Sequence, residues 1–521
     1  MAFDLASLPR DPDRLIEIIL ALQDRNAHLE GIVAALKRTV YGPRSEKLVA
    51  DTAQLPLELD DLIFSEATAA ANDDAAGPRS ARPCSPRLKA ARNIGALPKH
   101  LPRYEVVIDP ESKACPCCGG TMHVIGEDVS EQLDVIPAVL RVKRIRRPRY
   151  GCRSCEGAVV QAKASPRLVD NGMATTALVT SIVVGKFAWH LPLNRQTDIL
   201  RGQGIALDRS TLVHWVIRAA WWLKPLYKLL VGIVLASPKV FCDDTPLPVL
   251  DRRRRRTRTG RFWSYAIDDR PWQGPAPPAV VYLFAENRKG RHVHEHLTEF
   301  SGVLQVDGYA GYPKLAKPDR PGGAVTLAYC LAHARRQFFE VYQKSQSSVA
   351  AEALQRIGMV YQIEERVRGR TAAERGIVRQ AETKPILEAF KIWLMQRLAE
   401  ESAKSDLAKA IKYTLNHWNG LTVFLTDGRV EIDSNIVERT IRPIALGRRN
   451  ALFAGSTRGA EAWATLASII NTAKLHELDP QTYLADVLEK IVSGQTKVNS
   501  LHELLPWAWK EARTQQTAAA A

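Results

Sequence analysis

Leucines recur every seven residues at Leu15, Leu22, Leu29 and Leu36, with Ile19, Asn26, Val33 and Val40 between them. That spacing predicts a helix with a continuous apolar seam. Leu at d with β-branched residues and one Asn at a favours a parallel two-stranded coiled coil. Ile16, Ile18 and Ile32 widen the apolar face, so the helix could instead pack on its own chain. Tyr41-Gly-Pro-Arg ends it. The 3.6-residue pattern returns at about 172–236. There Arg195-Gln-Thr-Asp-Ile-Leu-Arg, Gly202-Gln-Gly204-Ile and Leu207-Asp-Arg-Ser-Thr-Leu-Val-His-Trp-Val read as helix, turn, helix, with Asp208 or Ser210 as cap. The pair is either a DNA-reading helix-turn-helix, presenting Arg209, Ser210, Thr211 and His214 to the major groove, or an ordinary helical hairpin.

From residue 238 the texture becomes that of strands. Pro238-Lys-Val-Phe-Cys-Asp-Asp-Thr, Phe262-Trp-Ser-Tyr-Ala-Ile and Ala279-Val-Val-Tyr-Leu-Phe are followed by a helix from Arg291 to Phe300. Gly302-Val-Leu-Gln-Val-Asp and Val325-Thr-Leu-Ala-Tyr-Cys complete five strands, and Ala332-His-Ala-Arg-Arg-Gln-Phe-Phe opens a helix. Three strands, helix, strand, strand, helix is the order of a ribonuclease H-like sheet. It puts Asp243 on the central strand and Asp307 at the end of its neighbour. Between Asp307 and Glu438 lie 130 residues, mostly of helical pattern after 340. A helical insertion fits them better than a long loop.

Composition and charge sharpen this outline. The 521 residues are 46% hydrophobic and 25% charged, the balance of a multidomain globular chain. The longest apolar run, Leu229 to Ala236, is too short for a membrane span, and Asp4, Asp11 and Asp13 interrupt any leader pattern, so a cytoplasmic protein without membrane partners is expected. Lys and Arg number 72 against 56 Asp and Glu, a net charge of +16 that suits a polyanion. The basic residues concentrate at 141–153, 252–261, 335–336 and 439–449. Arg141, Lys143, Arg144, Arg146, Arg147 and Arg149 lie on an alternating stretch that reads as a strand with a basic face, a nucleic-acid surface or a merely solvated one. Arg252 to Arg256 read as a phosphate contact on a hairpin, or as a solvated turn.

Five of the eight cysteines fall between positions 115 and 155. Cys115 and Cys118, then Cys152 and Cys155, form two C-x-x-C knuckles 33 residues apart. Paired knuckles close a tetrahedral Zn²⁺ site of structural type, with Cys117 as a surplus thiol. Carboxylates at adjacent strand ends have a different use. Asp243 and Asp307 can bridge two Mg²⁺ ions that activate an attacking oxygen at a phosphodiester. A third carboxylate lies in Glu431-Ile-Asp-Ser-Asn-Ile-Val-Glu438-Arg439-Thr-Ile-Arg442-Pro. Spacing does not decide between Asp433 and Glu438, because Asn435 with Glu438 also fits a capping box and Glu438 with Arg442 an i,i+4 pair.

Taken together these motifs resemble the transposases of the insertion sequence 66 family, of the DDE class. The resemblance runs from Tyr41-Gly-Pro-Arg-Ser-Glu-Lys-Leu through the knuckles, Ser130-Glu-Gln-Leu-Asp-Val-Ile-Pro and His190-Leu-Pro-Leu-Asn-Arg. It continues in Asp243-Asp-Thr-Pro, Val306-Asp-Gly-Tyr-Ala-Gly-Tyr, Cys330-Leu-Ala-His333-Ala-Arg335-Arg336-Gln-Phe, Asp433-Ser-Asn-Ile-Val-Glu438-Arg, Gly447-Arg-Arg-Asn-Ala-Leu-Phe-Ala-Gly-Ser and Thr472-Ala-Lys-Leu. It implies Asp243, Asp307 and Glu438 as catalytic, magnesium-holding acids. It implies Arg439 and Arg442 as DNA contacts, to which Arg144, Arg146, Arg147, Arg209, Arg335 and Arg336 are added as candidates. Cys330 and His333 match its C-x-x-H, for which a structural role is expected. Ser434 and Asp244 stand where the family usually has Asn and Glu.

The expected architecture is therefore multidomain α/β. A leucine-rich coiled coil occupies 1–48, a linker 49–100, a zinc-binding ribbon 101–165 and a helical DNA-binding region 166–236. A ribonuclease H-like catalytic core follows at 237–460, with a helical insertion at about 340–428, and then a helical tail at 461–521. The expected activity is binding of terminal inverted repeats with metal-dependent cleavage and transfer of DNA. Expected partners are double-stranded DNA, a second copy of the chain or a higher homo-oligomer, and accessory proteins of the same element. The alternatives are a ribonuclease H-like nuclease or resolvase, and a zinc-containing DNA-binding protein with a decayed core.

Overall fold

The structure is a computed structural model that describes residues 140, 142–146, 149–151, 159–161, 164–170, 172–251 and 253–520. The coiled coil, the linker and the cysteine knuckles lie outside the described residues. A two-stranded ladder pairs β1 (Arg149–Gly151) with β2 (Val159–Gln161). Residues 142–146, read from the sequence as strand, belong to no ladder and are exposed. Among the described residues nothing covers their apolar positions: Val142 is 95% exposed.

Among the described residues the main sheet has strands β3 (Lys239–Asp251), β4 (Arg256–Ile267), β5 (Ala279–Ala285), β6 (Gly302–Val306) and β7 (Val325–Tyr329). Their spatial order is β5-β4-β3-β6-β7. The first three run antiparallel, while β6 lies parallel to both β3 and β7. The β3–β4 hairpin extends to Asp251↔Arg256, well past the apolar runs that mark these strands in the sequence. At its tip Asp251 accepts the N–H groups of Arg253 (3.1 Å) and Arg254 (3.3 Å), and Arg255 takes a positive φ of 51°. β6 starts close against Pro238. Gly302 has φ 132°, and a Cβ there would stand 2.3 Å from the Pro238 carbonyl oxygen.

Helices α1 (Thr176–Phe187), α2 (Leu193–Gly202) and α3 (Arg209–Leu235) precede the sheet. Thr175 caps α1 by accepting the Leu178 N–H. Gly204, with φ 82°, makes the turn between α2 and α3. The apolar stripe of α3, including Leu212, Trp215, Leu223 and Leu230, is buried in the same core as the sheet residues Phe262, Val281 and Tyr282. The Tyr227 hydroxyl donates to the Tyr282 carbonyl at 2.8 Å. These helices thus share the sheet's hydrophobic core, and the start of α3 leaves Arg209, Ser210 and His214 exposed.

After β5 comes α4 (Gly290–His296), and after β7 come α5 (Leu331–Ser345), α6 (Ser348–Val367), α7 (Ala372–Val378), α8 (Lys384–Glu400), α9 (Asp406–Asn416) and α10 (Trp418–Leu421). The apolar faces of α5, α6, α8, α9 and α10 make a second cluster, in which Phe338, Ile357, Phe390, Leu394 and Ile411 are fully or almost fully buried. Arg379 to Thr383, between α7 and α8, form a π-helical turn that places Arg379 in this interior. Its guanidinium meets both Glu364 oxygens at 2.7 Å and the Phe424 carbonyl at 3.0 Å. A buried Arg needs such a full set of partners.

The chain returns to the sheet through α11 (Asn435–Ala451) and α12 (Thr457–Leu475), and ends in α13 (Pro480–Val492) and α14 (Pro506–Ala520). α12 closes the free edge of β5. Ser468 Oγ accepts the Tyr282 N–H at 2.9 Å, and Thr472 Oγ1 accepts the Val280 N–H at 3.1 Å and donates to the Val280 carbonyl at 2.9 Å. One helical turn on, His476 Nε2 lies 2.9 Å from the Pro278 carbonyl. Positions 468, 472 and 476 thus cover the first half of an edge that would otherwise invite another strand. Among the described residues no helix is long and apolar enough to cross a membrane.

Candidate active site

The parallel pairing of β3 with β6 closes at Phe241↔Gln305. Asp243 and Asp307 each follow two residues later, so the two-residue period of the strands sends both carboxylates to one side of the sheet. Asp244, one position on, accepts Arg261 Nη1 and Arg288 Nε, each at 2.9 Å. Asp307 turns its Oδ1 onto the Tyr309 N–H at 3.1 Å. The glycine between them is required by space: a Cβ on Gly308 would lie 2.6 Å from the Tyr413 hydroxyl of α9.

Glu438 arrives from the first turn of α11, and several contacts fix that helix. Ser264 and Thr440 share a hydrogen bond of 2.9 Å, and the Tyr282 hydroxyl donates to the Thr440 carbonyl at 2.5 Å. Arg448 is buried and donates to Thr245 Oγ1 at 3.3 Å and to the Pro246 carbonyl. The segment before the helix is tied to β6 and β7. Gln305 donates through Nε2 to the Glu431 carbonyl (2.9 Å) and accepts the Glu431 N–H (3.0 Å), so its amide acts as one more strand partner. Leu331 N–H donates to the Ile432 carbonyl at 2.8 Å, and Ser434 N–H to Cys330 Sγ at 3.2 Å.

Among these groups Asp243 carries the largest electrostatic burden. Burial first, then the negative charges of Asp307, Asp244 and Glu438, push its pKa well above the ordinary carboxylate range; the Asp244 N–H pulls the other way. Asp433 and Glu438 differ in what each touches. Asp433 spends its oxygens on the Asn435 backbone N–H (3.2 Å) and side-chain amide (2.9 Å). Glu438 accepts the Ser434 hydroxyl at 3.3 Å, stands 4.0 Å from His333 Nδ1, and acts on Asp243. The capping-box alternative is not formed: Ser434 is the N-cap and makes no side-chain cap bond.

The family model described as "Transposase IS66 family" matches residues 171–462, more than half of the chain and all of the elements that carry these carboxylates. The chain belongs to the IS66 transposase family. The zinc-finger binding domain of transposase IS66 matches 112–156, the IS66 C-terminal element 468–507, and a segment described as "Transposase C of IS166 homeodomain" 28–106. The chain is similar to two Sinorhizobium fredii (strain NBRC 101917 / NGR234) proteins. Uncharacterized protein y4jD is 51% identical over 514 residues, 98% of this chain and 99% of its own length. Uncharacterized protein y4hP is 38% identical over 499 residues, 93% of this chain and 89% of its own.

An IS66 transposase with a zinc-finger domain is a DNA-binding enzyme that uses divalent metal and zinc. Of the candidate zinc ligands, Cys115, Cys118, Cys152 and Cys155 fall within the zinc-finger match and outside the described residues, as does Arg147. Arg144, Arg146, Arg209, Arg439 and Arg442 are exposed, whereas Arg335 and Arg336 are half-buried on α5. Sequence reading assigned no role to Gln305 or Arg288 and placed Arg448 in the basic stretch 439–449 expected to face DNA, whereas Arg448 is buried. Their only signal is a polar residue inside or beside an apolar element, and their partners lie 126, 44 and 203 positions away.

Proposed function

We propose that this IS66 chain is a DDE transposase that binds the terminal inverted repeats of its element and carries out metal-dependent DNA cleavage and strand transfer. Asp243, Asp307 and Glu438 are its catalytic carboxylates. The observation that carries the reading is geometric: Asp243 and Asp307 each stand two residues beyond the Phe241↔Gln305 pair, and Glu438 enters from the first turn of α11, near enough for its charge to raise the Asp243 pKa. Like charges gathered in a low-dielectric site are unfavourable until a cation joins them. The three donors are hard oxygens, which fits Mg²⁺. A sheet ordered β5-β4-β3-β6-β7, with three antiparallel and two parallel members, supports a ribonuclease H-like core.

Magnesium held by Asp243, Asp307 and Glu438 supplies activation of the attacking oxygen and charge stabilisation at the phosphodiester. The chain's own residues do the positioning. Ser434 orients Glu438 through its hydroxyl, and Gln305 locks the segment that leads to it. Arg439 and Arg442, exposed on the same helix, offer guanidinium groups to backbone phosphate. The zinc finger and the α2–α3 region read the element ends. The leucine-rich segment pairs protomers so that two ends are held together, and accessory proteins of the element act with the complex.

The test is a strand-transfer assay with pre-cut element ends, target DNA and Mg²⁺. Joined product is expected. Hydrolysis without joining would instead support a nuclease or resolvase. Unchanged Mg²⁺-dependent cleavage by Asp243→Ala would overturn the site.

A further inference from the structure

The C-x-x-H stands at the head of α5. Cys330 is the N-cap residue of that helix, and His333 lies in its first turn. One donor atom each from Cys330, His333 and Glu438 lie within 4.8 Å of one another. His333 Nδ1 is buried and finds no hydrogen-bond partner among the described residues, although it stands 4.0 Å from Glu438 Oε1. A buried ring nitrogen left unpaired is unfavourable and calls for a partner. Cys330 Sγ accepts the Ser434 N–H at 3.2 Å, while burial and the charges of Glu438 and Asp433 push its thiol pKa up to about 12, so the sulfur is a thiol until an ion displaces its proton.

We propose that Cys330, His333 and Glu438 form a binding site for one zinc-class transition-metal ion. One sulfur, one imidazole nitrogen and one carboxylate oxygen are the donor set of zinc, with a fourth position left for water. Magnesium, which selects oxygen donors, is not the ion for this set. An ion here shares Glu438 with the Asp243 cluster, so its occupancy sets where that carboxylate points. The site rests on donor geometry and not on the strand-transfer reading.

The full-length chain is purified, dialysed against zinc-free buffer and assayed for zinc beside His333→Gln and Cys330→Ser. The wild type is expected to carry about one equivalent more than either variant, the zinc-finger metal remaining in all three. In the cobalt-substituted protein, Cys330→Ser is expected to lose part of the thiolate charge-transfer absorption. Equal zinc content in all three chains overturns the proposal. To exclude loss of metal through misfolding, anomalous scattering at the zinc edge is recorded on wild-type crystals. A peak at about 2.3 Å from the Cys330 sulfur and about 2.0 Å from the His333 nitrogen is expected, and no peak there overturns the site. Mg²⁺-dependent cleavage, measured on the same preparation, is a separate readout, so failure of one proposal does not imply failure of the other.

Discussion

Arg288 bridges two acids of the site: its Nε lies 2.9 Å from Asp244 Oδ1, and its Nη2 3.8 Å from Asp307 Oδ2. The guanidinium also stacks over the Tyr309 ring, 4.5 Å from its centroid. Asp244 is therefore a holder of arginines, with its side chain 1% exposed and Arg261 on its other oxygen. Asp244→Asn is expected to destabilise the chain by about 1.5–3 kcal/mol, the usual size for a hydrogen bond to a charged group. It should leave the Mg²⁺-induced rise in melting temperature in place. Chemical denaturation and thermal shift check both parts, and loss of the Mg²⁺ response would make Asp244 a metal ligand.

Burial raises the pKa of both acids, but arginines oppose the rise at Asp244 whereas carboxylates add to it at Asp243. Its pKa is raised by burial and by neighbouring carboxylates, so the folded chain holds this proton more tightly than the unfolded one. Its stability contribution is complete below the ordinary carboxylate pKa and is lost as pH rises through the higher folded value. In EDTA, Asp243→Asn is expected to raise the melting temperature at pH 8 and to change it little at pH 4. The same variant should abolish the Mg²⁺ shift. A lower melting temperature at pH 8 would show that the charge cluster is not a source of instability.

Asp433 titrates in a window of its own. Burial lifts its pKa to about 6 from the model-compound value of 3.8, with Glu431 and Glu438 adding to the rise and the Asn435 N–H opposing it. Its contribution is therefore present below about pH 4 and lost as pH rises through 6. The full swing is on the order of 3 kcal/mol. Asp433→Asn should flatten the stability profile between pH 4 and 6, read as urea midpoints across that range. An unchanged slope would remove Asp433 as its source.

Arg375 joins α7 to the strand-like segment before α11, its Nη2 2.8 Å from Glu431 Oε1 and 3.7 Å from Glu364 Oε2. Arg375 is 1% exposed and Glu431 6%. Breaking a buried pair from one side strands the other charge, so Arg375→Met is expected to cost about 3–5 kcal/mol. Adding Glu431→Gln should recover part of that loss. A double-mutant cycle by urea unfolding measures the coupling, and strictly additive losses would mean the two charges do not interact.

The five strands were legible because each carries a short apolar run bounded by turn residues or acids, as in Val240-Phe-Cys-Asp and Val303-Leu-Gln-Val-Asp. The outer half of the β3–β4 hairpin was not, because Arg252 to Arg256 hide its alternation and the pairing itself supplies the order. The helix expected from Arg291 to Phe300 is shorter, Gly290–His296, since its last turn gives way to the approach of β6. The helices read as either a DNA-reading helix-turn-helix or an ordinary helical hairpin have α3 buried along one face in the same core as the sheet, a fact about surface complementarity that no periodicity within α3 encodes.

By itself the sequence determined the identities and order of the chemical groups. Asp243 and Asp307 at strand ends, Glu438 at a helix start and the C-x-x-H after β7 follow from residue type and local spacing, which act over a few positions. The tertiary structure decided which of these groups meet. It turned Asp433 onto Asn435 and gave Asp244 to two arginines. It also set Cys330 and His333 beside a carboxylate more than a hundred positions away. Those choices depend on β3–β6 register, on the Gln305–Glu431 clamp and on the packing of the intervening helices. They are long-range interactions whose partners are fixed only when the whole chain has folded.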